Sequence, residues 1–255
     1  MYKETFNHLM KLMKPFMKIQ GFSSRGNNFY KRHQQGNIGI INVQRNKEGL
    51  PKFTINIGIY SVVLAKYFLA GFNQKEVKGY PALGDYHWET RIGFLVPKQN
   101  VYRQKDERWL KGYDKWWDYE DTTDVEALFR EISELITEFA IPAIDKHITD
   151  EKLIEAWFPA VENDNQHLLK DLSVLLLAAA QKEKLKIVLD KLSKHLLQHP
   201  EFTGLKKHYD RLIREIGSDT HPSGNSEVLN FTSSKRKISE EESSSSDHKI
   251  KKIKP

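Results

Sequence analysis

The sequence predicts an α+β fold: an antiparallel meander of four to five strands packed by an N-terminal helix and a following long helix, then a C-terminal helical group and a disordered tail. Three observations carry this. Segments with apolar residues at every second position are confined to residues 29–96, and stripes with helical spacing lie before and after them. Strands and helices segregated in this way make an α+β fold rather than a parallel α/β sheet. The turns between the first three strands are short, which suits antiparallel neighbours, because parallel ones need a long crossover.

The elements follow in order. Phe6, Leu9, Met10, Met13, Phe16 and Met17 form one apolar stripe and predict the first helix. Pro15 lies inside it and should kink it or start a new turn, and Gly21 is placed to cap it. Phe29–His33 reads as a strand, Gln35-Gly36-Asn37 as a turn and Ile38–Arg45 as a second strand. In Lys52–Ser61, Phe53, Ile55, Ile57 and Ile59 alternate with Thr54, Asn56, Gly58 and Tyr60. His87–Val96 alternates too and reads as a fourth strand, after a long connection whose Val62–Phe68 portion suits a short helix. Thr123 with Glu126 reads as a capping box opening a helix over Val125, Leu128, Phe129, Ile132, Leu135, Ile136 and Phe139, which Pro142 should end. A short helix is predicted at 150–157, and leucine stripes predict two more helices with a turn near Gln181–Glu183. Leu205–Ile216 is the last, ended by Gly217. The organisation is therefore an α+β domain over 1–150, a helical extension of it over 151–217 and a tail over 218–255.

Composition narrows the chemistry. The chain has 255 residues, 39% of them apolar, enough for a core. With 40 basic and 34 acidic side chains its formal charge is +6. It has no cysteine, which excludes disulfide scaffolds, thiolate metal sites and a cysteine nucleophile. No apolar run approaches a membrane span and the start has no secretory apolar region, so the expectation is a soluble cytoplasmic protein without membrane contact. From Ser218 onward seven basic and six acidic residues stand among serines with few large apolar ones, a composition that cannot offset its ordering entropy.

Gly21-Phe22, Gly26-Asn27-Asn28-Phe29-Tyr30, Ile41-Asn42-Val43-Gln44, Phe53-Thr54-Ile55-Asn56-Ile57-Gly58, Trp88, Arg91-Ile92-Gly93 and Trp116-Trp117, in this order and spacing, resemble the family known as domain of unknown function 4304. The resemblance covers about the first 150 residues. It implies a helix before and after an antiparallel sheet, and no activity. The long Val62–Tyr86 connection and the charged tail depart from it.

Two surfaces are candidates for function. With the isoleucines of 53–59 facing the core, Asn42, Gln44, Asn56, Tyr60, Glu89 and Arg91 share the opposite sheet face. Amides offer donors and acceptors, and arginine a fork for a carboxylate or phosphate. This is either a recognition surface for a protein partner or a solvated face with a cross-strand ion pair. Small bacterial α+β immunity proteins, which plug toxins, are an analogy for such a role. The second candidate is 98–117, where Lys98, Arg103 and Arg108 interleave with Trp109, Trp116 and Trp117. Charge beside aromatic rings suits single-stranded nucleic acid, although tryptophans packed on the core beneath solvated charges would look the same.

Other signals are slighter. His195 and His199 are spaced for one helix face but have no third ligand, so no metal is assigned. There is no phosphate loop, nucleophile elbow or dinucleotide fingerprint, so neither a cofactor nor a catalytic residue is assigned. Asp85, Glu89 and Arg91 faintly resemble a metal-dependent nuclease pattern, which keeps an unrecognised hydrolase or nuclease as a further alternative. In the tail, Lys235, Arg236 and Lys237 and then Lys249, Lys251 and Lys252 are spaced like a bipartite nuclear-import signal, which would add a nuclear location in a eukaryote. Ser239 and Ser244 between them have the acidic neighbours of acidophilic kinase sites.

Overall fold

The N-terminal stripe forms helix α1 (Tyr2–Ile19), which buries Phe6, Leu9, Met10, Met13 and Met17. The structure is a computed structural model that describes residues 2–70 and 76–218. Pro15 sits within α1 without ending it. It and Lys11 are exposed, so the carbonyl that loses its amide partner faces water. Gly21 takes the left-handed conformation at φ +84°, and the Phe22 amide donates back to the Met17 carbonyl at 2.9 Å, closing the helix with Phe22 buried.

The sheet is antiparallel throughout. Strands β1 (Ser23–Arg25), β2 (Asn28–Arg32), β3 (Ile38–Arg45), β4 (Lys52–Tyr60) and β5 (Trp88–Arg91) lie in sequence order, and β6 (Trp117–Asp118) pairs with the start of β4. The sequence reading is corrected at two places here. Strands β1 and β6 are too short to show a period, and β5 ends at Arg91 rather than Val96. From Ile92 the chain turns into a one-turn helix, α3 (Ile92–Leu95). The Gly93 carbonyl is taken by the Trp109 indole N–H at 2.8 Å instead of by a strand partner.

Helix α2 (Val62–Ala70) follows β4, and two short helices, α4 (Val101–Gln104) and α5 (Glu107–Leu110), follow α3. Helix α6 (Val125–Leu135) is capped by Asp124, whose carboxylate accepts from the Ala127 amide at 3.0 Å, one residue on from the expected Thr123. Pro142 does not end it. The chain passes through a π-turn at Ile136–Ala140 straight into α7 (Ile141–His147), with Pro142 in the first turn. Widening the ladder there removes the demand for the amide that proline lacks. Then come α8 (Asp150–Trp157), a 3₁₀ turn (Phe158–Asn163), α9 (Gln166–Ala178), α10 (Lys182–Gln198) and α11 (Thr203–Ser218), with left-handed Ala180 making the break between α9 and α10.

One sheet face, with Phe29, Ile41, Val43, Phe53, Ile55, Ile57 and Ile59, lies beneath helices in the main core, which runs on without interruption into Leu169, Leu172, Leu176, Val188 and Leu192 of α9 and α10. The other face is not open along its whole length. Tyr30, Ile38, Ile40, Tyr60 and Ala65 form a second cluster with Val77 and Tyr86. Residues 76–87 roof it: the Tyr30 hydroxyl donates to the Pro81 carbonyl at 3.2 Å and the Lys78 amide to the Tyr60 hydroxyl at 3.3 Å. Tyr60 and Asn56, expected on an exposed surface, are each only 4% exposed. No helix among the described residues is long and apolar enough to cross a membrane.

Candidate functional site

Strand register draws a line of polar residues across the sheet beside that roof. Arg25 of β1 pairs with Asn28 of β2, Asn28 with Asn42 of β3, Asn42 with Asn56 of β4, and Asn56 with Arg91 of β5. Side chains in direct cross-strand register point the same way, and from Asn28 to Arg91 they touch. The Asn42 amide donates to the Asn28 carbonyl oxygen at 2.7 Å. The Asn56 amide donates to both Asn42, at 3.0 Å, and Gln44, at 2.8 Å. Arg91 Nε donates to Asn56 Oδ1 at 3.1 Å, and its Nη1 reaches Asp114 at 2.6 Å.

Arg91 sets the polarity of this ladder. A guanidinium only donates, so Asn56 must turn its oxygen toward it and its NH₂ toward Asn42 and Gln44. Those two must then present oxygens inward, and Asn28 does so in its turn. Every amide oxygen in the row is used inside the row. What remains unused is N–H: on Asn28, Asn42, Gln44 and Arg91, all half-buried. The row therefore offers donors to an acceptor-bearing ligand. Beside it the Thr54 hydroxyl is fully buried and has no hydrogen-bond partner, as does one oxygen of Asp114.

The two sequence-derived candidates meet at Arg91. Asp114, which anchors it, and Trp116, whose ring lies 5.7 Å from the guanidinium carbon, both belong to 98–117. The rest of that segment turns inward. Trp109 and Trp117 are core residues, at 0% and 3% exposure. Buried Arg103 donates to the carbonyls of Gly93, Val96 and Trp109. Lys115, also buried, sits between the Trp109 and Trp117 rings at 5.1 and 5.4 Å and bonds Asp106 at 3.0 Å. Lys98 and Arg108 remain at the surface, and Arg108 lies over exposed Tyr113. The base-stacking platform expected from the aromatic spacing is thus not assembled, because its tryptophans hold the segment to the core.

The remaining expectations separate in space. Asp85 accepts from Lys78 and from the Ala82 amide and so braces the roof, while Glu89 is exposed opposite Gly58 and Arg91 belongs to the ladder. The His195 and His199 rings stack with Phe202. No group of three or more histidines and carboxylates placed to hold a metal occurs among the described residues. Burial raises the Tyr30 and Tyr60 phenols above their ordinary value, so both stay protonated. The tail clusters Lys235–Lys237 and Lys249–Lys252, with Ser239 and Ser244, lie outside the described residues. Asn28 and Asp114 are the ladder members that sequence reasoning missed. The short Gly26-Asn27 turn places Asn28 opposite Asn42 and was the available signal for the first; for Asp114 there was none.

A family model described as Domain of unknown function (DUF4304) matches residues 13–146. The chain belongs to the DUF4304 family. The matched span contains β1 to β6, α6 and most of α7, and with them the entire ladder from Asn28 to Asp114. Helices α8 to α11 lie beyond the DUF4304 match yet share its core. Neither a curated protein nor a solved structure matches the chain.

Proposed function

We propose that this DUF4304 domain is a non-catalytic interaction module that docks a protein partner through the donor edge of the amide ladder, at Asn28, Asn42, Gln44 and Arg91. The observation that supports it is the one-way polarity of the row, with its oxygens used internally and N–H groups left unused. A docking surface gains from it, because donors fixed on rigid strands lose little freedom on binding. Protein backbone carbonyls and carboxylates are the matching acceptors.

The test uses a variant that keeps the ladder and reverses its outer edge. Asn28→Asp and Gln44→Glu each retain the oxygen that accepts from inside the row and replace the outward NH₂ by a second acceptor. Affinity capture on the full chain, from lysate of the source organism, should retain a specific protein with the wild type and lose it with the double variant, at unchanged melting temperature. Equal capture by both proteins would count against the docking role.

A further inference from the structure

At the edge of the sheet beyond the ladder, two arginines reach one tyrosine ring without an ion-pair partner of their own. Arg25 on β1 and Arg32 at the end of β2 are exposed, and neither takes part in an ion pair among the described residues. Both guanidiniums lie against one ring, that of Tyr80, at 5.1 and 5.3 Å from its centre. Tyr80 is pinned in turn. Its ring packs edge-on to buried Tyr30 at 5.2 Å, Arg32 donates to the Gly79 carbonyl, and the Tyr30 hydroxyl holds the Pro81 carbonyl.

Contact with the ring occupies the guanidinium faces and leaves their N–H edges free. The Arg25 guanidinium makes no hydrogen bond among the described residues, and that of Arg32 makes only the one to Gly79. Two like charges are thus gathered at one ring with donors unmatched. An anion taken up by both would relieve their repulsion and satisfy those donors. We propose that Arg25 and Arg32, clasped against Tyr80, form a site for a phosphoryl oxyanion, either free phosphate or a phosphate monoester. A phosphoryl dianion carries about twice the charge of a carboxylate and a third acceptor oxygen, so it answers two cationic forks better.

The site shares Arg25 with the end of the amide row but not the argument for protein docking. Gln44→Glu should leave phosphate binding unchanged whichever way the capture experiment falls. The direct test is a thermal-melting titration of the full chain at constant ionic strength, with inorganic phosphate, phosphoserine and acetate exchanged against chloride. Both phosphates should give a saturable rise in melting temperature and acetate none. Arg25→Gln and Arg32→Gln should each weaken phosphate about tenfold or more. Tyr80→Ala should weaken it by undoing the clasp, and Tyr80→Phe should not. Equal affinity for the two phosphates marks a free anion as the ligand, and tighter phosphoserine marks a phosphate carried on an ester. A rise that does not saturate, that acetate reproduces, or that survives both arginine substitutions overturns the proposal.

Discussion

Asn56 is the residue on which the ladder turns. It joins Arg91 to Asn42 and Gln44 at a position only 4% exposed, so its neighbours have little water to fall back on. Asn56→Ala should cost about 1–3 kcal/mol, the range for leaving buried polar groups unpaired. Urea denaturation would show it, and a loss no larger than that of Gln44→Glu would mean that the row is not cohesive. Two residues back, the Thr54 hydroxyl is buried with no partner. Thr54→Val keeps the shape and removes the orphaned oxygen, so it should be neutral or stabilise by up to about 1 kcal/mol. The contrast matters because the two side chains share a strand and a face. One has a network that repays its burial and the other has none, so their responses separate hydrogen-bonded polarity from polarity as such.

Among the elements, those with a period of their own were legible in the sequence and those shaped by neighbours were not. The alternation in β3 and β4 fixed which side chains share a face, and so placed Asn42, Gln44 and Asn56 together with Arg91. Whether that face was open depended on residues 76–87, which have no period and lie over Tyr30 and Tyr60 by virtue of tertiary contacts. In the same way the spacing of Trp109, Trp116 and Trp117 could not tell two core rings from the half-buried one. Pro142 was read as a stop because nothing local announces a π-turn. Gly39 shows how closely α7 then seats itself: a Cβ there would lie 2.3 Å from Ile144 Cγ2, with Ile148 also close. Gly39→Ala must lift the helix or distort β3, at a cost of about 1–3 kcal/mol. Unfolding measured by circular dichroism should show that loss, with Ile144→Ala in the same chain recovering part of it. Additive costs would mean that the two groups do not meet.

The molecule as a whole is joined at seams that contain neutral histidines. At one, Asp150 at the start of α8 accepts from Asn37 at 2.9 Å and from Ser61 at 2.7 Å, and the Ser61 amide donates to His87 Nδ1 at 3.0 Å. At the other, buried His208 of α11 meets Ser173 of α9 at 3.1 Å, with the rings of Tyr67 and Phe68 from α2 against it. Burial pushes His87 down to about 4, against a smaller opposing pull from Asp85. Burial pushes His208 to about 4 as well, reinforced by Lys170 and Arg211. Each therefore holds its proton less tightly folded than unfolded. Between the ordinary value of 6.5 and about 4 the unfolded chain takes up more protons, and stability falls as the pH falls. For His87 the full effect is on the order of 3 kcal/mol. Asp171 runs the other way: burial raises it to about 6, so the folded state keeps its proton and gains as the pH drops toward the ordinary carboxylate value. Two histidines outweigh one carboxylate, so the urea midpoint should decline from about pH 7 to about pH 4. His208→Phe, which keeps an aromatic ring at the seam, should remove most of that decline, because Asp171 then offsets the larger part of what His87 alone contributes. Protonating His87 Nδ1 also breaks its bond to Ser61, so acid should loosen the junction of β4 and α2 first. A midpoint that stays level over this range would mean that neither histidine remains neutral at its seam.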